Sequence, residues 1–129
     1  MNLLILPGVY SVCHLNPDEE EPDWGFGRTF RSITRTDAEL SIICSSDLVP
    51  EETEQERGWR GIEVEGPLKF SQIGILAGLL QPLADAQLPV FVVSTYQTDY
   101  IFLKEQQLSD AIKTLESAGH YFIDDALQE

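Results

Sequence analysis

The sequence predicts an α+β fold, on three observations. Residues 59–123 read in the order β-α-β-β-α-β. Two of those segments, "SQIGILAGLLQPLADAQ" (71–87) and "QQLSDAIKTLESAG" (106–119), carry apolar residues at helical spacing. The runs around them are short, apolar and rich in β-branched or aromatic residues, as strands are. That order is the split β-α-β arrangement, an antiparallel sheet with both helices on one face.

Residues 3–15, "LLILPGVYSVCHL", read as a long strand interrupted at Pro7-Gly8, and "NPDEEEPDWGFG" as a Pro/Gly/acid-rich loop. "FRSITRT" (30–36) and "LSIICS" (40–45) form a hairpin around Asp37-Ala38-Glu39, with Leu40, Ile42 and Cys44 on one face. "PEETEQERG" (50–58) reads as a short helix opened by Pro50 and closed by Gly58, without an apolar stripe. In "WRGIEVEG", Ile62 and Val64 face the core while Glu63 and Glu65 face away.

The first long helix carries its stripe on Ile73, Leu76, Leu80 and Leu83, widened by Ile75 and Leu79. Pro82 lacks an N–H and its ring presses on the carbonyl of Gly78, so a kink or an irregular last turn is expected. "VFVV" and "YIFLK" are the next hairpin. The second helix shows Leu108, Ala111, Ile112 and Leu115 on one face, and Gly119 stops it before a last strand, "YFI". Residues 1–58 then form a reduced unit that lacks the first helix, and 59–129 a complete one. The pairing of "FRSITRTDAELSIICSSDL" with "FVVSTYQTDYIFLKEQQL" fits a tandem repeat, although hairpins in general look alike.

A chain of 129 residues makes one compact unit or two small ones sharing a core, without needing disulfides or a metal. Its net charge of −14 repels phosphate backbones and anionic lipid, which argues against nucleic acid and membrane as partners. No apolar run approaches the ~20 residues of a membrane span. "MNLLILPGVYSV" has no basic region before it and reads as a buried strand rather than a signal peptide. The acidic clusters at 18–23 and 51–56 lack the alternating spacing and central glycine of a calcium loop, and solvated loops explain them. Cys13 and Cys44 lie in strand-like runs, read as buried thiols, and fit a cytoplasmic location.

Catalytic chemistry has little to stand on. His14 and His120 have no neighbouring nucleophile or metal spacing, and "GFG" at 25–27 is followed by a strand where a phosphate loop needs a helix. The expectation is no catalytic residue, no cofactor and no metal. A binding site has more support. The first N–H groups of the 71–87 helix, near Ser71, Gln72, Ile73 and Gly74, form a seat for a carboxylate. At the tip of the hairpin, Thr95, Tyr96 and Asp99 offer hydroxyls and a negative oxygen suited to an amine. Together these match the two ends of a free amino acid. Spacing alone equally allows Ser71 as a plain helix cap and Thr98-Asp99 as ordinary turn chemistry.

The stretches "LPGVYSVCHL", "FRSITRTDAELSIICSSDLVP", "FSQIGILAGL", "STYQTDYIF" and "AIKTLESAGH" resemble the ACT-domain family. The resemblance is strongest to its small tandem proteins akin to the CASTOR arginine sensors, and extends to aspartokinase regulatory domains. It implies βαββαβ units paired side by side, with an amino acid or other small effector held at the interface between units. "FSQIGILAGL" matches the strand-to-helix segment that holds ligand backbone groups, and "STYQTDYIF" the hairpin lining the pocket. CASTOR proteins carry four such units and this chain about two, which implies a homodimer. Two functions are therefore expected to compete: an amino-acid-binding regulatory module, or a ligand-free adaptor acting through a protein partner.

Overall fold

The computed structural model describes residues 1–27, 29–68 and 73–123. The chain folds as two compact units, Gly8–Trp59 and a second made of Met1–Pro7 with Arg60–Glu129. The architecture is α+β.

In the unit Gly8–Trp59, strands β2 (Tyr10–Leu15), β3 (Ser32–Arg35) and β4 (Leu40–Ser45) and the first half of β5 (Gln55–Val64) align in the order β3-β4-β2-β5. β3 and β4 are the expected hairpin, with Ile33 opposite Ile42. Leu40, Ile42 and Cys44 are buried while their neighbours are half-buried, the alternation of a strand with one face on the core. The expected helix at 50–58 is absent. Residues 51–53 form a turn, and Gln55 already pairs with Cys13 of β2. With no apolar stripe to bury, that segment gains more from ladder hydrogen bonds.

Arg31 pins the acidic loop of this unit. Its guanidinium donates to the carbonyls of Pro22 (3.3 Å) and Trp24 (3.2 Å), pairs with Glu21 at 3.5 Å and lies 3.7 Å from the centre of the Phe26 ring. Cys13 and Cys44 are free and buried in one apolar cluster with Ile42 and Val49. Hydrogen bonding to the Cys44 sulfur, then burial, hold the Cys13 thiol far above its ordinary range.

In the other unit, β1 (Asn2–Ile5), the second half of β5, β6 (Val90–Ser94), β7 (Asp99–Lys104) and β8 (Tyr121–Phe122) align as β6-β7-β5-β1-β8. β1 enters this sheet because it pairs antiparallel with β5, Leu3 opposite Val64, and parallel with β8, Leu3 opposite Phe122. The long strand expected over 3–15 is thus two strands, parted at Pro7-Gly8, where Gly8 takes a φ of 89°. Helices α1 (Ile75–Asp85) and α2 (Leu108–Ser117) cover the same face. Leu79, Leu83, Ala111 and Leu115 are buried in one cluster with Leu3, Ile62, Val64, Ile101 and Leu103.

α1 runs as one helical segment through Pro82 to Asp85. Proline leaves the Gly78 carbonyl without its intrahelical donor. His120 supplies one: its Nε2 lies 3.2 Å from that carbonyl oxygen, and its Nδ1 lies 3.2 Å from the Met1 amino group. The end of α2 puts His120 there. Gly119, at a φ of 97°, turns the chain left-handed, and the N–H of His120 returns to the Leu115 carbonyl at 3.0 Å. This is a Schellman cap. α1 ends in the same way, with Gln87 at a φ of 61° and Leu88 N–H donating to Leu83.

His120→Ala should therefore lower stability by about 1 kcal/mol in urea denaturation. In a Pro82→Ala background, where residue 82 regains its N–H, the same change should cost less. Equal costs in both backgrounds would remove His120 from this role. The thiol pair should be silent toward a thiol-reactive dye in the native protein and react with two equivalents after unfolding; fast labelling of folded protein would contradict its burial.

Candidate functional site

The β6–β7 hairpin turns at residues 95–98. Ser94 and Asp99 are the last cross-strand pair, and the Ser94 hydroxyl donates to the Asp99 carboxylate at 2.5 Å. The Thr95 N–H donates to the Thr98 carbonyl at 2.8 Å, and the Thr95 hydroxyl to the same oxygen at 3.1 Å. Thr98 points inward and is 5% exposed. Its hydroxyl donates to the carbonyl of Val64, at the end of β5, over 2.6 Å. A second tie follows at once: the N–H of Leu68 donates to the Gln97 carbonyl at 2.7 Å. Gly66 permits this seam, since a Cβ there would lie 3.1 Å from both the Gln97 oxygen and the Thr98 Cβ.

Across from the tip stands the N-terminus of α1. Gly74 is its cap residue, at a φ of 80° that an L side chain rarely adopts. Its carbonyl accepts the first helical bond, from Gly78 at 2.9 Å, so the helix begins at Ile75 rather than at 71. Gly74 has no side chain with which to cap the N–H groups of Ile75, Leu76 and Ala77, and no acidic residue occupies the first turn. Helix start and hairpin tip together line a cavity of about 320 Å³. Leu68 and Gly74 to Ala77 form one wall, and Ser94 to Asp99 the other. All of these residues belong to the same unit.

Of the residues expected at a site, Gly74, Thr95, Tyr96 and Asp99 share this cavity. Ile73 stands beside it, 94% exposed, and is no part of the α1 stripe. Tyr96, 82% exposed, is at the rim. Ser71 and Gln72 lie outside the described residues. Sequence reasoning missed Leu68 and Leu76 as wall residues and Thr98 as the anchor of the tip. A buried threonine in a turn has no one-dimensional mark, because its partner is 34 positions away. Asp99 is the only charged residue among the described residues of the wall, and it makes no ion pair among them.

A family model of the ACT domain matches residues 54–117, and a second, of an N-terminal domain, matches 8–52. Protein Atu0741 of Agobacterium tumefaciens has a crystal structure 36% identical in sequence, with a TM-score of 0.89 over 95% of this chain and 91% of that one. The chain belongs to the ACT-domain family. The chain is also similar to the cytosolic arginine sensor for mTORC1 subunit 1 of Homo sapiens, 32% identical over 81 residues, 62% of this chain and 24% of the sensor. The chain thus spans about a quarter of the length of that curated relative. Aspartate kinase from Synechocystis shares the fold, with a TM-score of 0.64 at 15% identity over 96% of this chain and 28% of the kinase.

For this ACT-domain chain, the seam between tip and strand is what shapes the cavity. Thr98→Val keeps the side-chain volume and removes the donor to a buried carbonyl. It should cost about 1–3 kcal/mol and raise amide exchange at residues 95–98 ahead of the helices. Wild-type protection in that turn would show that the Val64 bond does not hold it.

Proposed function

We propose that the chain is a regulatory module without catalytic activity that binds a free amino acid in the cavity between the α1 N-terminus and the β6–β7 tip. The observation that carries this reading is the pairing of opposite electrostatics across one small space. The first helix N–H groups, to which Gly74 offers no side-chain cap, suit a carboxylate, and the Asp99 carboxylate, which accepts from Ser94 and makes no ion pair among the described residues, suits an ammonium. A volume of about 320 Å³ lies at the lower end of small-molecule sites and fits one amino acid. The arginine-sensor relative supports the ligand class. We further propose that the protein acts as a homodimer in the cytoplasm, that Ser71 and Gln72 complete the carboxylate seat, and that a second unit closes the ligand in from the side of the mouth. Ile73 and Tyr96, both exposed there, support that last point.

The test is thermal denaturation against each of the twenty amino acids. A ligand at a hundred times its Kd adds about 2.7 kcal/mol of stability. One or more amino acids should raise the Tm, and Asp99→Asn should weaken that ligand by tenfold or more while leaving the unliganded Tm near wild type. If no amino acid at millimolar concentration moves the Tm, the sensor reading fails and the adaptor takes its place. If Asp99→Asn unfolds the protein, Asp99 is a turn residue and the ammonium needs another partner.

A further inference from the structure

The cavity wall carries information about which amino acid it takes. Resting on the amino-acid reading above, we infer that the ligand has an uncharged, apolar side chain, and that this side chain packs on Leu68, Ile75 and Leu76. The charge count comes first. The described wall offers one carboxylate, Asp99, and one cluster of helix N–H groups. Those match one ammonium and one carboxylate, and the described residues of the wall hold no other ionised side chain for a third charge. A glutamate or aspartate side chain would face Asp99 in a chain of net charge −14. A lysine or arginine side chain would bring a second cation to a wall whose one carboxylate is taken.

The apolar lining of the cavity points the same way. Leu68, Ile75 and Leu76 line it, and all three pack against the hydrophobic core of their unit. The site therefore opens directly onto core packing, with its polar groups gathered at the tip, on Ser94, Thr95, Gln97 and Asp99. A ligand held by its two charged ends between helix and tip has its side chain left for these apolar residues. Burying a charge there without a partner is costly. Burying a hydrocarbon is favourable, and each methylene removed from water strengthens binding about fourfold.

Isothermal titration of the full 129-residue chain with alanine, valine, leucine, lysine, arginine and glutamate tests this. Affinity should rise about fourfold per added carbon from alanine through valine to leucine, and leucine should bind at least tenfold tighter than the three charged amino acids. Leu76→Ser, with folding checked by circular dichroism, should weaken leucine more than alanine and so flatten the series. Equal affinity for alanine, valine and leucine, or tighter binding of lysine or arginine than of leucine, would overturn this inference and leave the amino-acid reading standing. If none of the six binds and no other amino acid does, both fall together.

Discussion

The Thr98 hydroxyl donates to the Val64 carbonyl at 2.6 Å, buried from solvent, and that bond decides where the β6–β7 tip sits. Strand β5 ends at Val64, and a buried carbonyl there needs a donor. Thr98 satisfies it and is in turn fixed by it. Leu68 then donates to Gln97, and Gly66 lets the two backbones close to contact. The tip cannot swing away without breaking the bonds of three backbone groups, the carbonyls of Val64 and Gln97 and the N–H of Leu68, and exposing a threonine. Asp99 follows directly on this anchor, which fixes the direction from which its carboxylate meets the cavity. Removal of the seam would leave Asp99 a surface aspartate on a mobile turn.

The opposite wall depends on a different constraint. α1 is placed by the burial of Leu79 and Leu83, and its midpoint is tied to the end of α2 through His120 and the Gly78 carbonyl. Pro82 removes one hydrogen bond from α1 and thereby creates the acceptor that His120 uses. The two helices are stapled where a helix without a proline would have offered no free carbonyl. A helix N-terminus can act as an anion seat only if the helix holds its position when the anion arrives, and α1 is held by packing along one face and by this bond on the other.

What the sequence made legible follows from period. The alternation in Leu40–Ser45 and Ile62–Val64 and the helical stripes of α1 and α2 each repeat within a few residues, and the elements they predict are present. Local events without a period were misplaced. Apolar spacing continues back through Ile73 and so predicts a helix from 71, whereas the φ of 80° at Gly74 makes that glycine the cap and leaves Ile73 exposed. The acidic segment after Pro50 resembles a helix N-terminus in composition, and only its pairing with β2 shows otherwise. Pairing at long range was invisible: nothing in Asn2–Ile5 announces a partner at Tyr121. At the site, Asp99 was legible because its type and its turn coincide, while Leu68 and Leu76 looked like any other core leucines.

The chain's overall charge sharpens what its cavity can accept. A net charge of −14 opposes any simple anion on approach. The first turn of α1, with no acidic residue of its own, is a local exception whose attraction fades within a turn or so of the helix end. A carboxylate therefore gains from α1 only at contact and is repelled beyond it. A zwitterion escapes this conflict. Its net charge is zero, so the long-range field acts on it only as a dipole, and screening over about 8 Å at physiological salt weakens even that. Bound as proposed, it would meet two separate groups of opposite sign, the helix amides and Asp99, which a monoanion or a monocation of the same size cannot use together. Under the proposed function, charge distribution at long range and hydrogen-bond geometry at short range would favour the same kind of molecule, with Leu68 and Leu76 left to choose among its members by size.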